Sequence, residues 1–290
     1  MQLDIFEHSR EIMLRNDVLD ALQRREATAA RAAWDTLRRV FPQDETVTPL
    51  AVLIDALAPP ANAAFVDHAC ARDARLQLTA QVGPAASRLF GDKAGAAWLG
   101  PQWGRIAERA ARLPFHARHS EDHAAVLWLH AGDWPAAAHA VAGIESWRRI
   151  PAPLAWMAEA RYRIDGLDAV WELLAELAWL SPARLDELRR KLADPLLDKL
   201  HKRFDTSFEG EGRVADLAWF PAWLLIETPG LARLLGQAQA SQQDAPERAM
   251  RLLLDLLALE RQGRHRDLVE RRRDLRDLNA ALFAAYIRTR

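Results

Sequence analysis

The sequence predicts an all-α protein, and three observations carry that expectation. Ala, Leu, Arg and Glu, the strong helix formers, fill most windows, while Val, Ile, Thr and Tyr are sparse. No stretch alternates apolar and polar residues for long enough to make a strand. Helix start and stop signals recur at short intervals. Thr48-Pro49 and Ser181-Pro182 read as an N-cap followed by a first-turn proline. Ser120-Glu121-Asp122 and Asp244 with Glu247 read as helix starts, with carboxylates near the positive end of the helix dipole. Breaks are expected at Ala58-Pro59-Pro60-Ala61, Val82-Gly83-Pro84 and Gly100-Pro101, and a flexible loop from Asp205 to Gly212.

Composition limits the function classes. Half of the 290 residues are hydrophobic and 27% are charged, enough to bury a substantial core. Lys and Arg number 39 against 40 acidic residues, a net charge of -1, which argues against a globally basic nucleic-acid binder. Lysine occurs only at Lys93, Lys191, Lys199 and Lys202; that bias to Arg, with abundant Ala, is the signature of a GC-rich bacterial genome and carries no mechanism. A single cysteine, Cys70, cannot close an internal disulfide. The acidic start MQLDIFEHSREIM does not read as a secretion signal, and the longest apolar run, Leu217 to Ile226, contains Pro221 and is too short for a membrane span. A cytoplasmic protein away from membranes is expected.

Internal repeats decide what kind of helical protein this is. Ala30, Trp34, Leu37 and Pro42 follow a turn at Arg25-Glu26; Leu167, Val170, Leu174, Leu177 and Pro182 follow Asp165-Gly166. Between them Gly132-Asp133-Trp134-Pro135-Ala136-Ala137 precedes Val141 and Ile144, and Gln262-Gly263-Arg264-His265 precedes Leu268 and Leu275. These segments resemble the tetratricopeptide repeat, in which Gly-x-aromatic-x-x-Ala marks the turn into the second helix and a proline closes the unit. The turns at Trp134 and Leu167 are spaced close to the 34-residue period of that family. The resemblance covers about half the chain, and Trp and bulky aliphatics stand where the pattern has small residues. It implies an irregular TPR-like α-solenoid of stacked antiparallel helix hairpins, one domain over 1–290, with units at about 11–44, 118–151, 151–184 and 249–282.

The most specific short signal is Gln2-Leu3-Asp4-Ile5-Phe6. It resembles the pentapeptide Gln-Leu-Ser/Asp-Leu-Phe with which many bacterial replication and repair proteins bind the sliding clamp. A Gln amide makes several directional hydrogen bonds, and Leu with an aromatic ring fills an apolar cleft. The competing reading has Leu3, Ile5 and Phe6 begin the first helix and pack near Met13. Trp219 and Trp223, four apart around Phe220-Pro221, form a second candidate partner patch.

Two alternatives are chemical. Arg271, Arg272, Arg273 and Arg276 on the C-terminal helix suit phosphate, although Glu270, Asp274 and Asp277 lie within reach to compensate them. His119 and His123, with His116, His130, Glu121 and Asp122 nearby, suggest a metal-assisted hydrolase; the spacing is poor, because a cap at Ser120 leaves His119 outside the helix. No nucleotide loop, nucleophile elbow or zinc-type Cys/His spacing occurs. The leading expectation is a non-enzymatic adaptor that binds a protein or peptide, without metal or cofactor.

Overall fold

The computed structural model describes residues 2–58, 63–239 and 243–289, with side chains from Ser9 onward. It is all-helical, with no strand among the described residues, and none of its helices is long and apolar enough to cross a membrane. The chain divides into two compact units, 1–133 and 134–290. The boundary falls inside the segment 118–151 that the repeat pattern marks as one unit.

In the first unit, α1 (Gln2–Gln23) and α2 (Ala27–Val40) form a hairpin. Ala30, Trp34 and Leu37 are buried at helical spacing along one face of α2. Arg25 closes the turn with φ 59°, and Glu26 N–H donates to the Ala21 carbonyl. Next come α3 (Val47–Leu57), α4 (His68–Gln77), α5 (Gly83–Phe90), α6 (Asp92–Ala110) and α7 (Ala124–Ala131). The cap of α3 is Thr46, two residues before the expected Thr48, because Asp44 accepts from both the backbone and hydroxyl of Thr46 at 2.6 Å.

Two expected breaks are helical. Val82-Gly83-Pro84 does not interrupt the chain: a π-turn, Leu78–Val82, joins α4 to α5 directly. Gly100-Pro101 lies within α6, where packing against α5 and α7 outweighs the lost proline N–H. Residues 59–62, which include most of the expected break at Ala58 to Ala61, lie outside the described residues. The start expected at Ser120 is a 3-10 turn, Ala117–Asp122, and α7 begins after His123, whose Nδ1 accepts from Ala125 N–H at 3.2 Å.

The contact of α5 with α6 depends on Gly95. A Cβ there would lie 2.8 Å from the Ala86 carbonyl carbon and oxygen and 2.9 Å from Ser87 N. The two backbones touch, and only glycine permits it.

The second unit contains α8 (Trp134–Ala142), α9 (Pro151–Asp165), α10 (Trp171–Leu180), α11 (Pro182–Leu192), α12 (Pro195–Ser207), α13 (Phe220–Glu227), α14 (Ala232–Leu235), α15 (Ala245–Gln262), α16 (His265–Leu278) and α17 (Ala280–Arg288). Ser181 and Asp244 precede first-turn prolines as expected, and Glu247 Oε2 accepts from Gln243 N–H at 3.0 Å. The segments expected as units at 11–44, 151–184 and 249–282 contain the hairpins α1–α2, α9–α10 and α15–α16. The intervening regions 45–117 and 185–248 are also helical.

Burial in this unit is uneven. Residues 152–160 of α9, 173–178 of α10 and 220–226 of α13 are buried on every side. Such helices have no solvent face and must be enclosed. α10 packs on α9, α11, α13 and α14, and α13 packs on α12, α15 and α17. The buried carboxylates are matched: Glu176 meets Arg148 at 3.0 Å and accepts from Gln239 N–H at 2.7 Å, and Glu159 meets Lys191 at 2.7 Å.

Gly95→Ala tests the close contact in the first unit. Helix propensity alone favours the change by about 1 kcal/mol, but the Cβ must displace backbone, at a cost of about 1–3 kcal/mol. Chemical unfolding is expected to show a net loss of stability. Gly230→Ala, where a Cβ meets nothing within 4 Å, shows no steric penalty.

Candidate functional site

The sequence-derived candidates fall in four places. Gln2, Leu3, Asp4, Ile5 and Phe6 belong to the first turns of α1, and their side chains lie outside the described residues. Met13, the packing partner in the competing reading, is 57% exposed.

Trp223 is not a surface residue. It is 2% exposed, its Nε1 donates to Ser207 Oγ at 3.0 Å, and its ring stacks on Phe220 at 5.9 Å between centroids. Because the α13 segment is apolar on all sides, four-residue spacing puts Trp223 in the core; Trp219 is half-buried beside Phe208.

The arginine run divides by helix face. Arg271 pairs with Asp274 at 3.2 Å and Arg276 with Asp277 at 3.4 Å. Arg272 turns inward: its Nε donates to Tyr286 Oη at 3.4 Å, its Nη2 lies 3.5 Å from Glu260, and the Tyr286 hydroxyl itself donates to Glu260. Burial, then the Glu260 carboxylate, raise the Tyr286 pKa. Arg272 therefore ties α15, α16 and α17 together, while Arg273 is exposed. Arg271 also lines a cleft of about 780 Å³ between α15 and α16, where Arg248 and Arg251 face Glu247, Asp255, Asp274 and Asp277. The charges there are mixed, which suits self-pairing better than a polyanion.

The histidines gather with one the sequence reading left aside. His68 of α4 stacks on His119 at 5.0 Å and lies 6.2 Å from His116. Asp122, buried, accepts from Arg75 Nε at 2.8 Å and lies 3.5 Å from His119 Nδ1. His123 does not join this group as a ligand: its Nδ1 is used in capping α7, and burial, then the positive charge of His68, lower its pKa to about 4. Among the described residues no group of three His, Cys, Asp or Glu side chains is placed to hold a metal ion.

A different site stands out in the first unit. A cavity of about 290 Å³ is bounded by α3, the end of α4, the π-turn and α6. The π-turn, closed by Gly83 N–H donating to the Leu78 carbonyl, presents Leu78 and Val82, and α6 presents Gln102, Arg105, Ile106 and Arg109. Such π insertions widen a helix locally and recur at functional sites.

Its electrostatics are unusual for this chain. Arg105 Nη1 is buried and meets no acceptor among the described residues. Arg109 donates through Nε to the Ala63 carbonyl at 2.9 Å and lies 4.0 Å over the Phe65 ring. Arg25 reaches in from the α1–α2 turn, its Nη2 on the Trp98 carbonyl. Buried Gln102, with its amide turned to satisfy its neighbours, donates to the Trp98 and Leu99 carbonyls at 2.8 and 3.2 Å and accepts from Arg25 Nη1 at 3.2 Å. Burial, then the positive charge of Arg105, lower the Arg25 pKa. None of the three arginines forms an ion pair among the described residues. The one carboxylate lining the cavity, Asp55, pairs with Arg31.

Sequence reasoning missed this group for a physical reason. Arg105 is followed at helical distance by Glu108, which reads as its partner, yet Glu108 points to solvent and no such pair forms. Arg25 is separated from Arg105 by the whole of α2 to α5, so nothing local signals that the two charges meet.

The buried cap at His123 sets a pH dependence. Its folded pKa of about 4 lies below the unfolded 6.5, so the unfolded chain binds the proton more tightly. The stability it contributes is complete above 6.5 and is lost as pH falls towards 4. At about 1.4 kcal/mol per unit this is up to about 3 kcal/mol. His123→Asn keeps an acceptor at the cap and removes the titration; urea unfolding at pH 7 and pH 4 is expected to show a smaller acid loss in this variant. Compared with known proteins, the chain matches no family model, no curated protein and no solved structure.

Proposed function

We propose that this chain is a non-enzymatic binding module, an irregular TPR-like array of helix hairpins that receives a protein or peptide partner. The observation that supports this is the recurrence of hairpins whose turns carry the positive-φ glycines of the sequence pattern: Gly166 at φ 81° between α9 and α10, and Gly263 at φ 67° between α15 and α16. Hairpin arrays function by offering extended side-chain surfaces. The specific form of the proposal is that Gln2 to Phe6 bind a bacterial sliding clamp, linking the module to replication or repair in the cytoplasm.

The C-terminal arginines support a nucleic-acid partner less well, because Arg271, Arg272 and Arg276 are all engaged by carboxylates of the same unit.

Retention of the full chain on immobilised sliding clamp is the direct test. Leu3→Ala with Phe6→Ala is expected to abolish retention while far-ultraviolet circular dichroism stays unchanged; retention equal to wild type removes the clamp assignment. In parallel, duplex DNA titrated at low salt is expected to show no saturable binding. A tight complex with a steep salt slope would replace the adaptor reading with the nucleic-acid one.

A further inference from the structure

We infer that the cavity walled by the π-turn and α6 is a binding site for a small amphipathic anion, an oxyanion head carrying a short apolar body, with a carboxylic acid as the ligand class. This does not rest on the adaptor reading, and either can fail without the other.

The head is specified by charge. Arg105 and Arg109 stand one helical turn apart on α6 and both line the cavity, and Arg25 adds its field behind them. Arg105 lines the cavity and makes no ion pair among the described residues, so a bound anion supplies the counter-charge it lacks. Two or three positive charges with no carboxylate of their own select an anion, and charge-assisted hydrogen bonds from a planar guanidinium suit a carboxylate or phosphate oxygen.

The body is specified by the apolar part of the lining. Leu78 and Val82 of the π-turn and Ile106 of α6 face the cavity with Ala56 and Ala74. These side chains gain from covering a few methylene or methyl groups. A volume of about 290 Å³ holds a ligand of about ten heavy atoms, taking ~30 Å³ for each water-sized volume. Asp55 at the rim disfavours a doubly charged head, so a monoanionic carboxylate fits better than a phosphate monoester.

The C-terminal cleft differs in charge: Arg251 meets Glu247 and Arg271 meets Asp274 within it.

The experiment uses the intact chain and three probes matched in shape: 4-methylpentanoate, the neutral 4-methylpentanamide, and 3-methylbutyl phosphate. Binding is read by calorimetry at low ionic strength. The expected result is saturable binding of the carboxylate, at least tenfold weaker binding of the amide, and a phosphate ester no tighter than the carboxylate. Arg105→Gln, checked for native helicity and melting, is expected to weaken carboxylate binding at least tenfold, while Arg39→Gln on the exposed end of α2 leaves it unchanged. Absence of saturable binding, equal affinity for carboxylate and amide, or wild-type affinity in folded Arg105→Gln overturns the site. A phosphate ester bound more tightly than the carboxylate overturns the carboxylic-acid assignment. The wild-type comparison of carboxylate with amide decides the matter even if the Arg105 variant does not fold.

Discussion

A helix that is apolar on every side has to be enclosed, and the second unit is organised around that constraint. α13 carries an unbroken apolar run from Phe220 to Ile226, and α10 is apolar apart from Glu172 and Glu176, which both meet Arg148, so neither helix has a broad solvent face. The neighbours that cover them are accordingly amphipathic: α11, α12 and α15 bury leucines on one side and carry charge on the other. The aromatic cluster of Phe204, Phe208, Phe220 and Trp223 fills the space where α12 meets α13.

Enclosure raises the cost of every polar atom that goes inside, and this chain responds by pairing. Glu159, Glu176 and Asp122 are nearly inaccessible, and each is met by a lysine or arginine from another element. Glu176 still has a raised pKa because burial is the largest influence on it, exceeding the help from Gln239 N–H and Arg148. These bridges are register marks: Arg148 holds the 3-10 turn before α9 against α10, and Lys191 holds α11 against α9.

Against that background the uncompensated guanidiniums of the first unit are the exception. The buried carboxylates each meet a cation, whereas Arg105 and Arg109 line a partly apolar cavity with no ion pair among the described residues. Departure from the local rule is where a ligand site is most reasonably sought. The π-turn contributes to the same place, with Leu78 and Val82 both lining the cavity.

The sequence by itself determined the helical class, most helix positions and several turns, because propensity, three-to-four-residue apolar spacing and Gly or Pro punctuation act within a few residues. Gly132, Gly166 and Gly263 are legible for that reason. It did not determine where glycine and proline are overruled: Val82-Gly83-Pro84 and Gly100-Pro101 read as breaks, and tertiary packing carries the helix through both. Nor did it determine what each face of a helix meets. Trp223 reads as a surface aromatic until α12 and α15 cover α13, and Arg25 and Arg105 read as ordinary solvated arginines until folding brings them together. Charge proximity across many residues, burial from all sides and a cavity between helices are properties of the packed chain, since each depends on contacts that no local window of residues contains.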